Sequence, residues 1–381
     1  MRNAVMIFGL SLALGLPAAE LPQPVDRTGH WSLLDAKDAG LADGSWQPLD
    51  QALDSEDYPG ISSVLVAHDG YLIYERYREG DAEELRDTRS ATKTVTAMLV
   101  GIAMAQELLG KPDDPVMPLF DDHRRLLHPD PRKDATSFKD LLTMSSLLDC
   151  NDDNPYSRGN EERMYVREDW TGFVLDLPIK GFAPWMTRPE DSPYGRSFSY
   201  CTAGAYLLGA AIERVSGKSL AAFAAAYLER PLGIQSVRWN QSPLGVGIGG
   251  GGTRYRSRDL LKLGELLRLQ GRWGDHQILP SHWARAMLTV QLEAREDAQY
   301  GYLIWRFDYP QKGRSHPVWA MSGNGGNYVF IDPATSSVAV VTSSAYNQRY
   351  AHPNSQRIYA EKVLPELVKR TGPRAQGPDP R

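Results

Sequence analysis

A serine and a lysine three residues apart, Ser90 and Lys93 in Ser90-Ala91-Thr92-Lys93, open a long apolar run that favours helix. On a helix that spacing puts hydroxyl and ammonium side by side on one face. The helix N-terminus favours a developing alkoxide, and a desolvated amine beside it can take the hydroxyl proton. The same pair also reads as a helix-capping serine with a solvated lysine, and the four-residue pattern alone does not decide between them. Tyr200 stands just before the run Ala205-Tyr206-Leu207-Leu208-Gly209. A phenol serves as a general base only beside cations that favour its ionised form; otherwise it is an amphipathic ring covering the core. A third stretch, Ser322-Gly323-Asn324-Gly325-Gly326-Asn327, leads into Tyr328-Val329-Phe330-Ile331. Glycines at a strand edge let backbone N–H groups approach a ligand closely, as an oxyanion hole requires, though the stretch also reads as a plain loop.

These residues need a scaffold that closes long gaps in sequence. Residues 62–77 read as strand, Asp69-Gly70 turn, strand, because Asp-Gly between β-rich runs supplies both left-handed turn positions. A helix is expected from Ser90 to Leu109, closed by Gly110. The middle is mostly helical, with helices expected at 138–144, 169–175, 202–216, 219–228 and 257–269. Strands return at 300–307, 317–321, 327–331 and 338–342, followed by an amphipathic helix over 355–369 and a loose Pro/Gly/Arg-rich tail at 370–381. Strands at both ends with helices between predict an α+β fold. One antiparallel sheet is flanked by N- and C-terminal helices, with a mostly helical lobe inserted and a cleft between the two. This gives one two-lobed catalytic domain over 20–369, its α/β lobe at about 50–110 and 290–369 and its helical lobe at about 111–289, with Trp31 and Trp46 as anchors.

The 381 residues carry 42 Lys+Arg against 47 Asp+Glu, and 42% are hydrophobic. That is the composition of a folded, core-burying protein. The net charge of −5 offers no basic field for phosphate backbones, so a nucleic-acid partner is not expected. Residues 1–19 have one early positive charge, an apolar run and a small-residue end, the pattern of a secretory signal peptide. The expectation is a periplasmic or secreted protein without stable membrane insertion after cleavage. In an oxidising compartment the two cysteines, Cys150 and Cys201, form a candidate disulfide; buried free thiols are the alternative.

The order of the three motifs is more specific than any one of them. With Leu141–Cys150, Asp169–Pro178, Phe198–Gly217, Gly249–Leu267 and Tyr300–Trp305, it resembles the serine β-lactamase and penicillin-binding-protein superfamily over roughly residues 55–368. Within it the chain looks like the class C β-lactamase-related esterases and the 6-aminohexanoate-dimer-hydrolase-like serine hydrolases. The resemblance implies Ser90 as acyl-forming nucleophile, Lys93 as its activating partner, and Tyr200 as the base that also protonates the leaving group. It implies an oxyanion site from the Ser90 N–H and one N–H of the substrate-binding stretch Asn324, Gly325, Gly326 and Asn327, assigned to Asn327. Two departures stand out. The family's Tyr-x-Asn reads Tyr200-Cys201-Thr202, and its Lys-Thr-Gly is matched to Asn324-Gly325-Gly326. Losing that amide and that cation weakens the β-lactamase and D-Ala-D-Ala carboxypeptidase readings and leaves acyl transfer intact. The expected function is hydrolysis of a small-molecule ester or amide, with no cofactor and no metal. A non-catalytic penicillin- or peptidoglycan-binding relative is the alternative from another class.

Other signals carry less. Gly245, Gly247 and Gly250 satisfy G-x-G-x-x-G without the surrounding βαβ unit a dinucleotide site needs, so the run reads as a flexible loop near the cleft, with Ser257 capping the next helix. Asp121, Asp122, His123 and His128 read as a solvated loop. The acidic run Asp149–Asp153 reads as a turn, with contact to a cation as the alternative. No G-x-S-x-G elbow is present. Tyr165, Trp170, Trp185 and Trp305 read as core, or as cleft lining where they fall in the 155–190 loops.

Overall fold

Asp69 and Gly70 turn the chain back with φ of +48° and +82°, and strands β1 (Ile61–His68) and β2 (Tyr71–Tyr77) pair antiparallel across them. The computed structural model describes residues 31–123, 126–181 and 197–369. The expected signal peptide, the tail and Trp185 lie outside the described residues. In chain order the remaining strands are β3 (Arg86–Asp87), β4 (Arg254–Tyr255), β5 (Arg272–Trp273), β6 (His276–Gln277), β7 (Leu292–Arg295), β8 (Ala298–Tyr300), β9 (Trp305–Gln311), β10 (Arg314–Gly323), β11 (Asn327–Asp332) and β12 (Ser337–Ser343). The helices are α1 (Gln47–Asp54), α2 (Thr92–Ala105), α3 (Phe138–Leu142), α4 (Glu161–Tyr165), α5 (Trp170–Leu175), α6 (Thr202–Ser216), α7 (Leu220–Ala224), α8 (Ser257–Arg268), α9 (Ser281–Met287), α10 (Ala351–Arg357) and α11 (Leu364–Lys369).

Eight strands form one antiparallel sheet in the order β2-β1-β12-β11-β10-β9-β8-β7, so the first hairpin joins strands from more than 200 positions later in the chain. The two pleat faces feed two cores. Val64, Val66, Val318, Ala320, Phe330 and Val341 pack with Leu49 and Leu53 of α1 and with Ile358, Val363 and Leu364 near the C-terminus. Leu65, Ala67, Met321, Val329, Ile331, Val338 and Val340 pack with α2, α6 and α8. Covering both faces explains why β1 is buried along its whole length rather than alternating with polar residues. The expected α+β fold, with terminal helices on one face and a helical insertion, is the one observed.

Several local expectations are corrected. Helix α2 ends at Ala105 rather than at Leu109, because Glu107 turns left-handed with φ +58°. The strand expected over 300–307 is broken into β8 and β9, with Leu303 at φ +50° between them. Helix α8, assigned by sequence to the helical lobe, lies on the sheet. A Cβ at Gly264 would come within 2.6 Å of Val338 and 2.8 Å of Val329, so the missing side chain permits the close approach. Ser257 is the first residue of α8 rather than its cap, and its Oγ bonds the Ser63 Oγ at 2.8 Å.

Candidate active site

Ser90 sits in the single 3-10 turn Arg89–Ala91 that leads into α2. Arg89 before it is held at φ +47°, a costly conformation for a residue with a Cβ. Two contacts fix it: its N–H donates to Asp87 Oδ1 at 2.9 Å, and its carbonyl accepts from Gly252 N–H at 3.1 Å. Ser90 is therefore not a cap, and Lys93 is not solvated. The Lys93 side chain is 1% exposed, and its Nζ donates to Ser90 Oγ at 2.8 Å and to the Gly250 carbonyl at 2.6 Å. Taking an ammonium this far out of water costs several kcal/mol unless partners replace the hydration. The fold supplies a hydroxyl, a carbonyl and an aromatic face.

The carbonyl comes from the glycine run, which is wedged in place rather than flexible as expected. Thr96 Oγ1 donates to the Gly249 carbonyl at 2.7 Å, and a Cβ at Gly250 would meet Thr202 Cγ2 at 2.8 Å and its carbonyl at 2.9 Å. The aromatic face is Tyr200, with Lys93 Nζ 4.9 Å from its ring centroid. Tyr200 stacks on Trp305 at 5.8 Å, and Trp305 carries the Arg295 guanidinium at 4.8 Å. Ser90, Lys93 and Tyr200 thus come together from distant sequence. No hydrogen bond joins the Tyr200 phenol to Ser90 or Lys93 in this conformation; the contact is ring to ammonium.

The glycine-rich edge is arranged differently from the sequence reading. Asn324, Gly325 and Gly326 form the turn between β10 and β11, with φ +87° and +83° at the two glycines. The buried Asn327 side chain is spent on the backbone: Nδ2 donates to the Asn324 and Ser343 carbonyls, and Oδ1 accepts from Ser343 N–H at 3.1 Å. Asn324 exchanges two hydrogen bonds with Asn347. The part of the strand that meets the nucleophile turn is Gly323, where a Cβ would lie 2.1 Å from the Thr88 carbonyl oxygen and 3.2 Å from Ala91 N. Neither the Ser90 N–H nor the Asn324 N–H, which follows Gly323, donates to a partner among the described residues. The Asn324 N–H is thus a backbone donor left open beside the nucleophile turn among the described residues.

Asp152 was read from sequence as part of a turn, and the structure turns it inward. Its two carboxylate oxygens accept from different helices, Oδ2 from Thr202 N–H at 2.7 Å and Oδ1 from Glu161 N–H at 2.9 Å. Its own N–H donates to the Tyr200 carbonyl at 2.8 Å. Burial pushes its carboxyl up to about 6, opposed by the Lys93 ammonium and reinforced by Glu161. Sequence offered one hint, an acidic residue two positions after a cysteine. The bridge between Cys150 and Cys201 forms, with Cα atoms 5.4 Å apart, and ties the Asp152 segment to the Tyr200 segment. Closing a loop of that span stabilises by about 4 kcal/mol in the chain-entropy model. Elsewhere, His123 pairs with Asp169 at 3.0 Å and Asp122 with Arg214, both away from Ser90.

Comparison with known proteins agrees with this fold. Residues 47–360 match the family model described as beta-lactamase. The 6-aminohexanoate-dimer hydrolase of Paenarthrobacter ureafaciens is 23% identical over 294 residues, covering 74% of this chain and 72% of that protein. Among solved structures, EstCE1, a hydrolase with promiscuous acyltransferase activity, superposes with TM-score 0.63 at 18% identity over 85% of this chain and 99% of its own. A D-stereospecific amidohydrolase from Streptomyces sp. gives 0.60 at 17% over 84% and 97%. A penicillin binding protein from Bacillus halodurans gives 0.59 at 18% over 81% and 98%. At these identities the solved structures speak to the fold alone, whereas the family match spans most of the sequence: the chain belongs to the β-lactamase family of hydrolases.

Proposed function

We propose that this protein is an exported serine hydrolase that cleaves a small ester or amide through an acyl-enzyme on Ser90. The observation that carries the reading is the buried Lys93 amine in hydrogen-bond contact with the Ser90 hydroxyl. In the proposed route Lys93 acts once its ammonium has given up a proton: the neutral amine takes the Ser90 proton as Oγ bonds to the substrate carbonyl carbon. The resulting oxyanion is received by the Ser90 and Asn324 N–H groups. Collapse breaks the bond to the alcohol or amine, which leaves with the proton returned from Lys93. Water then attacks the acyl group by the same proton route and restores Ser90. The Cys150–Cys201 bridge supports export to an oxidising compartment.

Selectivity follows from what the cleft lacks. Residues 321–327, Met-Ser-Gly-Asn-Gly-Gly-Asn, hold no cation to receive a β-lactam carboxylate, and Thr202 is buried against Gly250 where the family has an amide. A missing charge-assisted hydrogen bond costs about 1.5–3 kcal/mol, roughly 10–100-fold in rate. We expect kcat/KM for 4-nitrophenyl acetate to exceed that for nitrocefin by at least that factor. Nitrocefin turnover equal to or faster than ester turnover contradicts the assignment, as does the absence of ester turnover.

A further inference from the structure

Asp152 bonds to the Tyr200 backbone and to two helix starts rather than to Ser90, and no step of the route above uses it. Its position is nevertheless unusually determined. The backbone N–H holds the Tyr200 carbonyl, one carboxylate oxygen holds the first N–H of α6, and the other holds the first N–H of α4. The Cys150–Cys201 bridge brackets the same two segments.

We propose that Asp152 is a positioning residue for the Ser90–Lys93–Tyr200 cluster, and that turnover requires its carboxylate to be ionised. The inference rests on the acyl-enzyme reading and adds its regulation by pH. An ionised carboxylate accepts at both oxygens; a protonated one carries a hydrogen on one of them and is a poor acceptor there. Protonation therefore releases either the Thr202 or the Glu161 N–H, loosening the start of α6, two residues after Tyr200, or the start of α4. It also removes the negative charge that faces Lys93.

The groups facing Asp152 are Lys93 of α2, and Glu161 and Tyr165 of α4. Tyr165 donates to Glu161 Oε2 at 2.8 Å, and its phenol is held well above its ordinary range by burial and then by Glu161, so it stays neutral while Asp152 titrates. The neighbouring Asp153 is spoken for by Arg295 at 3.6 Å. With burial raising the Asp152 carboxyl to about 6, the transition falls where an unperturbed aspartate, at about 3.9, is already fully ionised.

The test is the pH dependence of kcat and KM for 4-nitrophenyl acetate in wild type, Asp152→Asn and Asp152→Glu. Wild-type kcat is expected to fall on the acid side with a midpoint near 6. Asp152→Asn mimics the protonated form: kcat should be about tenfold lower at neutral pH, should meet the wild-type value in acid, and should lack that limb. KM should change less than kcat. Asp152→Glu keeps a carboxylate and should recover an acid limb at a shifted midpoint. Fluorophosphonate labelling at Ser90 runs alongside. Wild type that labels and turns over through Ser90 but shows no acid limb near 6, or an Asp152→Asn profile superimposable on wild type, overturns the Asp152 inference and leaves the hydrolase reading standing. Absence of labelling and turnover in wild type overturns the hydrolase reading itself. Should Asp152→Asn fail to fold by thermal melting, the wild-type and Asp152→Glu profiles decide.

Discussion

Replacing Lys93 with Met is expected to lower kcat/KM for ester hydrolysis by about 10³–10⁴-fold while leaving thermal stability unchanged or raised. The two halves of this expectation come from one fact. Lys93 is 1% exposed and its charge is compensated by a hydroxyl at 2.8 Å, a carbonyl at 2.6 Å and the Tyr200 ring. Such an arrangement is expensive to build, and an apolar side chain of similar length in the same space removes the buried charge without opening a large cavity. A lysine kept only for structure would show the reverse pattern, lost stability with retained rate. Steady-state kinetics and a thermal melt on the same preparation separate the two. Retention of more than about a tenth of the wild-type kcat/KM would remove Lys93 from the chemistry.

Gly323→Ala is expected to cost roughly a hundredfold in kcat with a smaller change in KM. A Cβ at this position would sit 2.1 Å from the Thr88 carbonyl oxygen and 3.1 Å from its carbon, both backbone atoms that cannot rotate aside. Either the β10 edge or the nucleophile turn must move by about an ångström, and a misplacement of that size between nucleophile and oxyanion donors is enough for such a loss. The control is Gly181→Ala, where nothing among the described residues lies within 4 Å of the added carbon and activity should be unchanged. Equal kinetics for the two variants would show that the strand edge does not set the reacting geometry.

Much of the fold was legible because local chemistry fixed it. Asp69-Gly70 announced the first hairpin, and α6 runs over Thr202–Ser216 as expected, with Cys201 at its start and Gly217 in the left-handed conformation at its end. What escaped depends on contacts across the chain. Nothing near Gly249–Gly252 says that Thr96, Thr202 and Arg89 will close around those residues and turn an apparently loose run into a wall of the site. Nothing near Asp152 distinguishes an acid in a turn from one whose oxygens bind the starts of two helices. Nothing local in the Ser322–Asn327 stretch shows that Gly323 is the residue that closes on Thr88 and Ala91, on either side of Ser90. Trp305, read as core by its type, is buried and yet stacks on Tyr200.

The central claim is that Ser90 carries the acyl group, and it is tested most directly by intact-mass analysis of the protein quenched during turnover of 4-nitrophenyl acetate, followed by peptide mapping. The account predicts an acetyl adduct confined to the peptide containing Ser90, accumulating in wild type and absent from Ser90→Ala. An adduct on another residue, or ester turnover by Ser90→Ala at the wild-type rate, would contradict it.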